Sequence, residues 1–173
     1  IGSGFSYAVG KEPFSFTVSE NIIEFPNLVA NTFSRDQSTL QVGGVGVHGY
    51  TVSVIENHPL TAGQSQTLIP DTACDPAAKC TPTKAAPWTA STAYGFGYNM
   101  SGADVDQNDF IDSTYFRPFP NNAANQNPSP VMAHRGATSE KASATITYQT
   151  NISPTQLNGA YENSIQFIAI PAY

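Results

Sequence analysis

Basic charge is what this 173-residue chain has least of: 7 Lys plus Arg, set singly from Lys11 to Lys141, face 13 Asp plus Glu, for a formal net charge of -6. No cluster of cations could neutralise a row of phosphates, so neither nucleic acid nor anionic membrane is expected as a partner. Charged residues of both signs make up only 12%. Solubility then rests on Ser, Thr, Asn and Gln, and weakly charged polar surfaces of this kind suit close packing against neighbours. No run of about 18 apolar residues occurs, so no membrane span is expected. The i, i+3, i+4, i+7 spacing of an amphipathic helix is missing as well, whereas alternation at period 2 recurs along the chain. There is no Gly-x-Ser-x-Gly turn to present a nucleophilic serine, and acidic residues gather in one loop rather than as two opposed carboxylates. The chain reads as a non-enzyme.

What is present is β-strand pattern. Phe14, Phe16 and Val18 alternate with Ser and Thr. Thr39 to Ile55 carries Leu40, Val42, Val45 and Val47, turns near His48-Gly49, and continues through Tyr50, Val52 and Val54, which predicts a hairpin. Gly43, Gly44 and Gly46 in its first arm predict a bulge or a close backbone approach. Glu56 to Ala90 reads as a long surface excursion with one short strand near Thr67 to Ile69. Tyr94 to Met100 alternates aromatic and small residues, so one face would be aromatic and the other bare. The Asn- and Pro-rich stretch from Pro118 to Pro130 reads as loop. Ala144 to Ile152 and Tyr161 to Ile170 predict two long strands joined by one loop at Asn158-Gly159. About eight to ten strands without helices in one domain predict an all-β sandwich with Greek-key or jelly-roll-like connections, a closed barrel being the alternative.

The domain is expected at 13–173, preceded by an extension at 1–12. In that extension Phe5, Tyr7 and Val9 are separated by Ser6 and Ala8, and Lys11-Glu12-Pro13 breaks the pattern before Phe14. The segment is either the first edge strand of its own sandwich or a donor strand that completes a neighbour's sheet through main-chain hydrogen bonds. Pro13 cannot donate to a ladder and so favours separation. Repeated head to tail, donation would not close and would give an open filament.

Cysteine is almost absent. The two residues, Cys74 and Cys80, sit in a loop bent by Pro76 and Pro82, and a local disulfide is expected, with the oxidising compartment that it implies. Closing so short a loop would contribute about 2 kcal/mol, enough to fix a loop but not to carry a fold. A chain opening at Ile1 without an initiator Met reads as a processed, exported form.

The stretch Thr147 to Phe167, with Gly159-Ala160-Tyr161-Glu162-Asn163-Ser164-Ile165 as a Gly-x-Tyr-x-Asn-x-Ile pattern, resembles the closing hairpin of secreted bacterial pilin-type and cell-envelope β-sandwich proteins. Gly49 to Val54 and Tyr94 to Tyr98 resemble the same group. The resemblance covers about a third of the chain. It implies an exported sandwich at the cell surface, polymerising or adhesive, without catalytic machinery. The insertions around the cysteines and the Asn-rich loop depart from chaperone-assembled pilins.

Few residues suggest chemistry. Asp104, Asp106, Asn108 and Asp112 stand at positions 1, 3, 5 and 9 of a calcium-loop spacing. However, Asp109 replaces the turn glycine and Tyr115 the closing Glu, so a solvated acidic turn is the competing reading. His48, His58 and His134 are far apart and lack a short ligand pair for zinc. Trp88, Tyr94, Phe96, Tyr98, Tyr115, Phe116 and Phe119 would form a sugar-stacking platform if several faced solvent, and core if they did not. Asn99-Met100-Ser101 and Asn151-Ile152-Ser153 are glycosylation sequons. The expected function is a filament, pilus or coat subunit making a homopolymer, with host-surface or glycan contact as a further option. A monomeric carbohydrate-binding or adhesion module is the alternative.

Overall fold

The computed structural model describes residues 13–44, 48–63, 66–136 and 141–172. Twelve strands and one short 3-10 turn at Asn122–Ala124 make up its regular structure. The strands are β1 (Ser15–Val18), β2 (Ser34–Gly43), β3 (Gly49–Glu56), β4 (Leu60–Ala62), β5 (Leu68–Ile69), β6 (Ala86–Pro87), β7 (Gly95–Gly102), β8 (Tyr115–Phe116), β9 (Ser129–Arg135), β10 (Ala142–Asn151), β11 (Tyr161–Glu162) and β12 (Ile165–Pro171).

A four-stranded sheet in the order β1-β2-β10-β7 faces a three-stranded sheet in the order β12-β3-β9, and both are antiparallel throughout. Two small sheets, β11-β4-β5 and β6-β8, are attached. The fold is an all-β sandwich whose connections repeatedly cross from one sheet to the other. Period-2 alternation explains the pairing of faces: Leu40, Val42, Ala144, Ile146 and Tyr148 of one sheet meet Tyr50, Val52, Val54 and Met132 of the other in one core.

Both expected hairpins are replaced by such crossings. β2 pairs with β1 and β10, whereas β3 pairs with β12 and β9. The two arms of Thr39 to Ile55 therefore face each other across the core, with Val45 and Val47 outside the described residues. Likewise β10 and β12 lie in different sheets. Alternation is identical for strands that pair and strands that oppose, so it cannot distinguish the two. The glycine-rich arm does make a close approach, since a Cβ on Gly43 would lie 3.0 Å from Ser15 Oγ. Among the described residues the register shifts in the pairing of β3 with β9, between Val52 and Ser53.

The bare face expected of β7 is covered. A Cβ on Gly97 would lie 2.6 Å from the backbone oxygen of Arg117 and 2.7 Å from Thr72 Cγ2, so glycine is required for these segments to lie on the strand. Phe119, in the stretch read as loop, is 1% exposed and packs its ring 4.5 Å from that of Tyr98. The excursion after Glu56 builds a second cluster in which Trp88, Phe116, Ala86 and Ala93 surround the Cys74–Cys80 disulfide. Trp88 lies over the outer face of the four-stranded sheet, where its carbonyl accepts from Gln149 Nε2 of β10.

Candidate functional site

A sandwich of two open sheets has four edge strands, each carrying unpaired main-chain groups. Two are attended to. Beside β7 run residues 70–72 and 115–117, with Phe96 N donating to Pro70 O, Thr72 N to Phe96 O, and Tyr98 exchanging both bonds with Arg117. On β9, Ala133 N donates to Asp104 O. The other two, β1 and β12, lie one above the other on the opposite side, where the Phe16 and Phe167 ring centroids are 6.2 Å apart. Each pairs on one side only among the described residues.

Between them opens a groove of about 1240 Å³. One wall is formed by the start of β12 and the turn before it, including Tyr161, Ile165 and Phe167; the other is the irregular segment joining β1 to β2, with Ile23, Phe25 and Leu28. Leu60, Ile69, Phe96, Tyr148 and Ile152 also line it. Phe16, Val18, Ile23, Phe25, Leu28, Ile165, Phe167 and Ala169 pack on the core yet remain only partly buried. Ile22 and Val29, 69% and 61% exposed, stand on the rim. Among the described residues no strand lies over these side chains, and a strand added there would cover them.

The groove and the start of the domain lie at opposite ends. Ser15 of β1 is in register with Gly43, and Pro171 of β12 with Tyr50. The Phe14 ring lies tilted against that of Tyr50, centroids 6.5 Å apart, so the described chain enters at this near pole. The groove lies toward the far pole, where β3 ends at Glu56, β10 at Asn151, and β12 begins.

Beneath the groove at the far pole is a buried carboxyl pair. Glu56 is fully buried, its Oε2 accepts from Asn163 Nδ2 at 2.8 Å, and Asn163 is part of the groove lining. Burial first, then a hydrogen bond to Asp71 and that residue's charge, push Glu56 up to about 10. Burial also raises Asp71, against the hydrogen bonds to Glu56 and Asn121. Among the described residues Glu56 Oε1 and Asp71 Oδ1 have no other partner, which fits a proton shared between the two carboxyls. Sequence reading did not single out this pair. Glu56 follows the predicted strand Tyr50 to Ile55, and nothing local marks it as buried.

The residues that sequence did single out are dispersed. Asp104 accepts from Tyr50 Oη at 2.6 Å and lies 3.0 Å from His134 Nδ1. Asp106 Oδ1 caps Asn108 N, and Asp112 Oδ1 accepts from Thr114 N. Asp109 sits against Arg117 and Lys84. Asp104, Asp106 and Asp112 thus direct oxygens to separate partners, Asn108 takes part through its backbone N–H, and among the described residues no three His, Cys, Asp or Glu side chains converge on a metal position. His58 Nδ1 bonds locally to Pro59 O, and His48 is exposed. Trp88, Phe96, Tyr98, Phe116 and Phe119 are all buried, so the stacking platform reduces to the half-buried Tyr94 and Tyr115. Both sequon asparagines are buried: Asn99 Nδ2 donates to Asp112 O and Tyr115 O, and Asn151 Nδ2 to Ser91 O and Ala93 O. Cys74 and Cys80 form the expected disulfide. Phe5, Tyr7 and Val9 lie outside the described residues. Compared with protein-family models, curated proteins and solved structures, the chain matches none.

Proposed function

We propose that the protein is a structural subunit of an extracellular filament, pilus or surface coat, in which the apolar segment at Phe5, Tyr7 and Val9 of one copy completes the sandwich of the next. The observation that supports this reading is the polarity of the described domain: its groove lies toward one pole and its first described strand begins at the other, preceded in sequence by the alternating Phe5, Tyr7 and Val9. A segment continued outward from the near pole would lead away from the groove of its own domain, and a second copy stacked on that pole would present its groove to it. Such a contact is heterologous and does not close, so it propagates into a fibre. Weak surface charge favours the lateral contacts that a fibre or coat needs. The disulfide fits an exported protein, and among the described residues no helix is long and apolar enough to cross a membrane.

Electron microscopy of the purified chain, with and without residues 1–10, tests the proposal. The intact chain should form filaments, and the shortened chain should remain folded and monodisperse. If the intact chain stays monomeric, or the shortened chain assembles equally well, the proposal is wrong.

A further inference from the structure

The loop between β10 and β11 holds the chain's one Asn-Gly pair, Asn158-Gly159. Asparagine amides are thermolabile, and a following glycine offers no Cβ to shield its main-chain nitrogen from the side-chain carbonyl carbon. Whether a fold permits the reaction depends on whether that nitrogen and the departing amide are held. Here neither is. Leu157 to Ala160 are exposed, and among the described residues no hydrogen bond engages the Asn158 side chain or the Gly159 N–H. The loop itself has a fixed place: Tyr161 pairs with Ala62, its Oη donates to Leu157 O at 2.7 Å, and Gln156 Nε2 donates to Leu68 O at 3.0 Å.

Asn163-Ser164, just past β11, is a control within the same molecule. Asn163 Nδ2 donates to Glu56 Oε2 at 2.8 Å and Ser164 N donates to Asn57 Oδ1 at 2.8 Å, so the departing amide and the attacking nitrogen are both committed. Thr32 N, after Asn31, donates to Val29 O, and Ala123 N, after Asn122, to Asn57 O. Such bonds must break before the nitrogen can attack. Asn158 and Gly159 also line the groove, whose lining includes Glu20, Glu24 and Glu162 and no Lys or Arg among the described residues. A carboxylate gained at position 158 therefore joins a rim that is already acidic, on a chain of net charge -6.

We propose that Asn158 is a site of spontaneous deamidation, which turns a neutral part of the groove rim acidic as the protein ages. Gly159 N bonds to Asn158 Cγ, the Cγ–Nδ2 bond breaks, and the amide leaves as ammonia with the proton lost from Gly159 N, closing a succinimide. Water then opens the ring at one of its two carbonyls. The product is an aspartyl residue, or an isoaspartyl residue whose backbone runs through the side chain and is one methylene longer. Nothing is oxidised or reduced, and the chemistry is independent of filament formation. The intact chain, folded or in guanidinium chloride, is incubated at neutral and at mildly alkaline pH. Peptides are then mapped by mass spectrometry, with isoaspartyl residues counted by enzymatic methylation. In the folded chain position 158 should exchange amide for acid at a rate within a few-fold of that in denaturant, faster at the higher pH and with both isomers present. Position 163 should react several-fold more slowly folded than denatured. Asn158→Gln, whose longer side chain must close a larger ring, should remove the acidic form resolved by ion exchange. An amide retained at position 158 in the folded chain, whether or not it is lost in denaturant, overturns the proposal. So does an acidic form that persists in Asn158→Gln, and an aspartyl product without its isomer overturns the succinimide route.

Discussion

Replacing Glu56 with glutamine probes the far pole through a quantity that packing alone would not change, the slope of stability against pH. Glu56 has its ordinary value at 4.5 in the unfolded chain and is pushed up to about 10 in the fold, by burial first and by Asp71 next. Between these values the folded protein holds a proton that the unfolded chain has released. A raised carboxyl contributes stability that is fully present below its unfolded value and is lost as pH rises through its folded value. Each unit of pH inside the window costs about 1.4 kcal/mol. From about pH 5 to about pH 8 that is at most about 4 kcal/mol, and sharing the proton with Asp71 brings the expectation to about 2–4 kcal/mol. Glutamine is neutral at every pH, and its carbonyl can accept from Asn163 where Glu56 Oε2 does. The Glu56→Gln chain should match the parent within about 1 kcal/mol near pH 5 and exceed it by about 2–4 kcal/mol near pH 8. Urea unfolding followed by fluorescence of the fully buried Trp88, the only tryptophan, measures both chains at each pH. Stability curves that run parallel from pH 5 to 8 would refute the shared proton.

The disulfide closes a loop with a sequence separation of 6, so replacing both cysteines by serine should cost about 2 kcal/mol and lower Tm by roughly 4–8 °C in calorimetry, without affecting assembly. Gly97→Ala should destabilise by about 1–3 kcal/mol in urea unfolding, because its Cβ would meet the Arg117 carbonyl and the Thr72 methyl. Burial alone would raise Asp109, yet the Ala85 N–H and the Arg117 guanidinium outweigh it and hold the carboxyl low. Arg117→Ala removes the main charge partner of a side chain only 6% exposed. It should cost about 3–5 kcal/mol by the same measurement, whereas Lys84→Ala, removing a side chain that is 68% exposed, should cost under about 1 kcal/mol.

The strand set was legible because alternation is local: Leu40, Val42, Ile146 and Tyr148 declare one face without reference to anything distant. Partner choice was not legible, because Val42 and Val52 would carry the same pattern whether they paired or opposed each other. Phe119, flanked by Pro118 and Pro120, looked like loop since its burial depends on Phe96, Tyr98 and Tyr148, none of them neighbours in sequence. Gly95 and Gly97 of β7 were visible but their reason was not, because it lies in Pro70, Thr72 and Arg117. The acidic loop shows a second limit of local reading. Its spacing resembles a ligand set, but Asp104, Asp109 and Asp112 are committed to His134, Arg117 and Thr114. The groove is lined by Val18, Phe25, Tyr148 and Phe167, which are distant in sequence, so it could be read only from the assembled sheets.

How tightly the groove should hold an isolated strand follows from its half-buried walls. Full burial of Phe5, Tyr7 and Val9 is worth about 1.5–3 kcal/mol each, while fixing the backbone of five residues costs about 1–2 kcal/mol each. These two contributions nearly cancel, which leaves the surplus to new ladder hydrogen bonds at about 0.5–1.5 kcal/mol apiece. A net of about 4 kcal/mol corresponds to a dissociation constant near 1 mM. A synthetic peptide of residues 1–10 should therefore bind the shortened chain only weakly in an NMR titration, with shifts concentrated at Ile165 to Ile170 and Ile22 to Leu28. The same strand carried by a folded subunit gains from surfaces on both domains, so filaments should persist far below the concentration at which the peptide binds. A peptide affinity in the nanomolar range would mean that the groove is a finished pocket rather than a vacancy in a sheet, and the reasoning from partial burial would fail.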